Sequence, residues 1–468
     1  MSSSRLIYFC ILSMSAAHLR RVDPQWSLDS AEYLSETVST LRKQLANIIT
    51  DAQTISPTRK SVEQTLLGVI MLGMSTSWHG TSGLGLEHIQ GSRALFQRYI
   101  YRTSDDIAPS NWPKLSFYLG LQAYWESIAS FLLDQDMGQL DSLHTACTSL
   151  PVEANRVNPW TGVDSTLWVL LAKAGCLVRK RRTLLLKKQT QILEDDGTEF
   201  QSYIGILDQQ AIILEQQILT YTTSDISRFE ATQDNQTIIS HLELIARCCR
   251  FAALLELYRA FSSTCNVIAG LRVLMITDGE WLGDAVAQTY LDIPGAFRAL
   301  ALGMLKILRS IPKDSNTKCL HSLLLLIAGS ALSIGLIGDT RERYHCRPGL
   351  VDASPTSATQ SHEQPMQEPA GFPSETAEND DSFTCATLIT RTAPMASDSL
   401  QFWRGFVQER MTYLEGAINL DGMRRIKTIL SKVWDYNDSL TVSPADNDLV
   451  GFVHWIDIME AYELEFLF

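Results

Sequence analysis

The sequence predicts an all-α protein, a large body of packed helical hairpins, and three observations predict it. Apolar residues recur at steps of three and four along most of the chain. No alternating apolar–polar run is bounded by a hairpin turn. The 26 glycines and 15 prolines among 468 residues are too few for a low-complexity chain, and several prolines mark breaks between the periodic stretches. Roughly a dozen helices follow from the spacing of these breaks. No fixed repeat period is visible, so a regular repeat array is not expected.

The first run, Arg5 followed by LIYFCILSMSAA, has the single charge, apolar centre and small residues of a short secretory signal. It also reads as a buried helix continuing through His18 and Arg20, and the unpaired cysteines favour the helix. Over residues 27–50, Ala31, Leu34, Val38, Leu41, Leu45 and Ile48 form one stripe. The stripe suits a helix packed on neighbours, or a short coiled-coil dimer. Pro57 breaks the chain, and Ser61 with Gln64 has capping-box spacing before the run from Leu66 to Leu72. Pro113 suits a first-turn position. Pro151, Pro159 and Gly162 mark a loop before a long helix from about Ser165 to Leu193. Residues 237–261 form another helix, and Pro294 and Pro312 bound a third. Residues 323–337 are uncharged but shorter than the about 20 residues of a span, so a buried helix and no membrane contact is expected.

Residues 347–382 break the pattern with five prolines, seven acidic residues and one arginine. So little apolar surface cannot offset chain entropy, and disorder is expected, as a linker or an interaction segment. Helical spacing resumes near Asp398. The aromatics that follow, among them Phe402, Trp403, Trp434, Trp455 and Phe466, should pack back on the body. The predicted organisation is a helical body over 1–340, an acidic Pro-rich insert over 341–397, and C-terminal helices of the same domain over 398–468.

The net charge of −13 repels a phosphate backbone, so direct nucleic-acid binding is not expected. The 347–382 segment accounts for −6 of it, which leaves the rest only mildly acidic. Nine cysteines without regular spacing suit a reducing compartment and give no zinc pattern. No phosphate-loop, nucleophile-elbow, H-E-x-x-H or dinucleotide motif is present, and no catalytic residue, metal ligand or cofactor is expected. His79 and His88 bracket a glycine-containing loop, which reads as a surface turn. Glu194, Asp195 and Asp196 read as a solvated helix end. Arg179, Lys180, Arg181 and Arg182 form the main basic cluster. It suits a nuclear-import signal or phosphate contact, or simply the surface of a long helix.

Several stretches, in order, resemble those of one known domain family. LIYFCILSMSAAHLRRVDPQW resembles that family's early helices. LLGVIMLGMSTSWHG followed by LEHIQGSRALF resembles its H-x-x-G-(A/S)-x-x-L pattern, at His88, Gly91, Ser92 and Leu95. VNPWTGVDSTLWVLLAKAGCLVRKRR resembles its Pro-x-x-Gly loop and helix, at Pro159 and Gly162. HLELIARCCRFAALLELYR and LLLLIAGSAL resemble its later apolar helices, and ILSKVWDYND and VHWIDIMEAYELEFLF its helices bearing Trp434 and Trp455. That family is the regulatory domain of fungal zinc binuclear-cluster transcription factors, and the resemblance implies a nuclear transcriptional regulator, with the cytoplasm as second choice. It implies protein partners or a small-molecule effector, and a homodimer is compatible with it. The matched positions are packing and turn residues, so no effector-binding residue carries over. The family's six-cysteine DNA-binding module is missing from the sequence, which implies a late-starting gene model or a stand-alone regulatory domain. A non-enzymatic helical scaffold stays open as a rival. A helical metal-dependent enzyme is the other, but lacks a mid-helix D-D-x-x-D cluster.

Overall fold

The computed structural model describes residues 4–20, 23, 27–54, 58–79, 84–101, 111–149, 158, 160–189, 197–222, 234–282, 293–332, 397–418, 420–440 and 453–466. Among them are fifteen α-helices and no strand. Pro57, Pro151, Pro159, residues 190–196 and the 347–382 segment lie outside the described residues.

The N-terminal helices are α1 (Arg5–Leu19), α2 (Ser27–Thr54) and α3 (Arg59–Ser75), all three in mutual contact, and α4 (His88–Tyr101) packs on α3. The Arg5 run is thus a packed helix, with Leu6, Cys10, Ala16 and Ala17 buried. Next come α5 (Trp112–Ala129), α6 (Met137–Thr148), α7 (Ser165–Gln189), α8 (Gly197–Thr220) and α9 (Ile239–Phe261). They are followed by α10 (Val267–Leu282), α11 (Ile293–Ser310) and α12 (His321–Ser330). Then α13 (Ser397–Ile418), α14 (Asp421–Leu440) and α15 (Trp455–Ala461) close the chain.

A spine runs α5 to α7 to α9, then to α11 and α12, each packed on the next. The middle of this spine is apolar on every side, because both faces of each helix meet another helix. In α9 Leu254, Leu255, Leu257 and Tyr258 are all inaccessible to solvent. Every residue of α12 is buried, and no helix among the described residues is long and apolar enough to cross a membrane. As the aromatic content predicts, α13 and α14 pack on α12. Trp434 Nε1 donates to Gly329 O at 2.8 Å, and Arg404 holds Leu332 O and Asp438 across the same seam.

Two local expectations change. The buried face of α2 is Ser30, Thr37, Thr40, Leu41 and Ile48, while Ala31 is exposed. Leu34, Val38 and Leu45 of the predicted stripe are half-buried and pack on the core, so the stripe holds except at Ala31 and is widened along one edge by Ser30, Thr37 and Thr40. Hydroxyls can sit inside once satisfied, as Thr37 is by the Tyr33 carbonyl and Ser30 by His79, so apolarity alone draws the face too narrow. Second, the N-cap of α3 is Thr58, whose side chain accepts from Ser61 N. Ser61 cannot itself cap, because Arg59 and Lys60 before it are already helical.

One close approach demands glycine. Gly85, in the turn before α4, has φ of +72°, and an added Cβ would overlap the Gly73 carbonyl of α3. Gly85→Ala should cost about 2–3 kcal/mol from left-handed strain plus overpacking. A urea unfolding midpoint close to that of the parent chain would refute this.

Candidate functional site

A cleft of about 730 Å³ lies among α4, α5 and α6. Phe96 and Ile100 of α4 and Leu140 and Leu143 of α6 give it apolar walls. Glu126, on α5, sits in its floor. That helix begins with Pro113 in its first turn and is otherwise almost continuously apolar, so Gln122 and Glu126, four residues apart, share one face. Arg93 meets Glu126 in a two-pronged ion pair, Nε to Oε1 at 2.8 Å and Nη2 to Oε2 at 2.6 Å. Gln122 Nε2 donates to Oε1 at 2.7 Å, and Gln135 Nε2 to Oε2 at 2.9 Å. Burial alone would lower the Arg93 pKa, but the bonds and charge of Glu126 more than offset it. Ser92 Oγ lies 3.2 Å from Gln122 Oε1 and steadies the amide.

The motif positions therefore divide. Ser92 and Leu95 are buried, and Ser92 supports the cleft floor. His88 starts α4 and Gly91 faces open space. Gly162 takes φ of +68° against Leu242, and Pro159 lies outside the described residues. Trp434 and Trp455 are structural anchors far along the chain from the cleft.

The basic cluster of α7 forms part of a second polar seam. Arg179 donates to Phe131 O and to Glu460 at 2.7 Å, Arg181 pairs with Asp208 at 3.0 Å and lies over the Phe261 ring, and Arg182 pairs with Asp457. Lys180 is half-buried. The same seam holds α15 on α9. Glu256, fully buried, accepts from His454 Nε2 at 2.9 Å and Trp455 Nε1 at 3.0 Å, with Arg259 at 3.7 Å. His454 Nδ1 accepts from Ile456 N, which completes a capping box with Asp457. The Trp455 ring packs 5.3 Å from that of Phe131.

These bonds define a neutral His454 that donates from Nε2. Burial pushes its pKa down to about 4, although Glu256 pulls the other way. Burial would raise the Glu256 carboxyl, but His454, Arg259 and Trp455 hold it below its ordinary value. His79, between Ser13 and Ser30, is pushed down to about 4, and His321, beside Thr317, to about 3. Each is lowered first by burial and next by a nearby arginine, Arg20 and Arg410 respectively. For a depressed histidine the unfolded chain binds the extra proton first. Stability is therefore complete above the ordinary value of 6.5 and is lost as pH falls toward 4. The thermal midpoint should drop steadily between those limits; a flat profile would refute the buried neutral assignment.

Among the described residues no group of three or more His, Cys, Asp or Glu could hold a metal ion. Cys10, Cys147, Cys176, Cys248, Cys249 and Cys265 are buried free thiols, and burial raises the pKa of each, so none is primed as a nucleophile. Sequence reasoning missed Arg93, Arg98, Gln122, Glu126 and Gln139. A signal did exist: Gln122 and Glu126 interrupt an otherwise apolar helix, and a charge there needs a partner.

No curated protein and no solved structure matches the chain. The family model described as the fungal specific transcription factor domain matches residues 1–347, which include the whole cleft and its supporting helices α3 to α7. With that match extending over most of its length, the chain belongs to the fungal-specific transcription factor domain family.

Proposed function

We propose that this chain is the regulatory part of a transcriptional regulator acting in the nucleus, and that the α4–α6 cleft receives an effector. The observation that carries this reading is the position of the cleft inside the matched segment, above a charged floor already satisfied by its own chain. Such a floor is rigid, and a rigid, mostly apolar cleft is the usual form of a small-molecule site. Protein partners or a second copy of the chain would then read the effector-bound state. DNA contact falls to another module or a partner, because the chain is net acidic and three of its four clustered cations are engaged within the fold. Their pairing supports a packing role for Arg179, Arg181 and Arg182; import through them would require those pairs to open. No catalytic chemistry enters this reading.

The test is tethering. The whole chain, fused to an unrelated DNA-binding module, should change output from a reporter carrying that module's site. Output equal to that of the module alone in a fungal host would overturn the regulatory role. A tagged chain confined to the cytosol under all growth conditions would favour the scaffold reading instead.

A further inference from the structure

We infer that the α4–α6 cleft selects an amphipathic carboxylate, an apolar body bearing one anionic head and a nearby hydroxyl or amide donor. This rests on the reading of the cleft as an effector site and adds the chemistry of the effector. The cleft volume, about 730 Å³, falls within the range of small-molecule sites, about 300–1,000 Å³. Phe96, Ile100, Leu140 and Leu143 supply apolar contact for the body.

The charge preference follows from which polar groups still have capacity. Glu126 has none. Its two oxygens already accept four hydrogen bonds, from Arg93 twice and from Gln122 and Gln135 once each. That fills the roughly four lone-pair positions of a carboxylate, so a ligand cation finds no acceptor there. Arg93 likewise is committed to Glu126. Arg98, on the cleft wall, is different: among the described residues it has no ion-pair or hydrogen-bond partner. Its guanidinium offers a planar fork matched to a carboxylate. Two arginines against one carboxylate leave this lining with one uncompensated positive charge. Gln139 adds the second requirement. Its Oε1 is buried and has no hydrogen-bond partner, and a ligand donor would satisfy it.

The experiment is calorimetric titration of the full chain with octanoate, octan-1-ol and octylamine, which share an apolar body and differ in head charge. Octanoate should bind about tenfold or more tightly than octylamine, since a charge-assisted bond separates them. Arg98→Gln should remove that preference and leave octan-1-ol unchanged. Ser142→Trp, at an exposed position on the α6 rim, should obstruct the cleft and weaken all three. Thermal midpoints matching the parent chain establish that both variants fold. Equal affinity for octanoate and octylamine, or an Arg98→Gln chain that keeps the preference, overturns the inference. Octanoate binding unaffected by Ser142→Trp overturns its location. If none of the three probes binds, the cleft is not an amphiphile site. The tethered reporter would still register a regulatory domain in that case, so the two failures are separable.

Discussion

Glu256→Ala should destabilise the folded chain by about 3–5 kcal/mol, because it strands a buried charge and two buried donors together. Glu256 is fully buried on α9, where its carboxylate accepts from His454 and Trp455 and faces Arg259. Alanine removes all of these at once. Arg259 keeps its bond to Ser330 Oγ at 2.9 Å but loses the counter-charge. Trp455, the anchor of α15, keeps its packing on Phe131 and loses the carboxylate that accepts from its indole N–H. The damage should be uneven. Amides of α15 should exchange faster than those of α7 or α9, since α15 is short and depends on this seam. Glu256→Gln keeps the shape and one acceptor oxygen, so it should recover part of the loss. Urea denaturation gives the total and hydrogen exchange the distribution. A loss below about 1 kcal/mol would show that solvent replaces the lost bonds and that the seam is not tightly closed.

Glu126→Ala should have an effect of similar size, about 3–5 kcal/mol, for a related reason on α5, where the spine begins. The side chains of Arg93 and Glu126 are 10 % and 4 % exposed, so their mutual attraction is weakly screened. Without the carboxylate, Arg93 is a half-closed charge in an apolar wall, Gln122 loses its acceptor, and Gln135 keeps only the backbone carbonyl of residue 126. Arg93→Met combined with Glu126→Leu removes both charges and should restore much of the loss. This distinguishes an unpaired charge from lost packing. If the double variant is as unstable as Glu126→Ala alone, the cost lies in packing and the ion-pair account fails.

Much of the architecture was legible in residue order. Pro113, Pro294 and Pro312 mark helix ends because a missing N–H and a fixed φ act locally. The return of α13 to α15 to the body was legible in their aromatic content, because such area does not stay in water. The hydroxyl edge of the buried face of α2 was not, since Ser30 and Thr37 are tolerated inside only through partners that the fold supplies. The family was legible in serial agreement of packing motifs, none specific alone, and the match over residues 1–347 agrees with it.

The cleft shows where residue order stops. Periodicity is a short-range property, so the chain by itself determined the all-α class, the helix ends, the acidic balance and the family. Arg93 and Glu126 stand 33 residues apart on different helices, and Glu256 and His454 stand 198 apart. No local rule joins them. Which charges are buried together, which cation is engaged and which is free, and where an unpartnered acceptor faces an apolar wall depend on how α4, α5 and α6 cross. Only tertiary packing decided that, because the cost of burying a polar group depends on its neighbours in space and not on those in sequence.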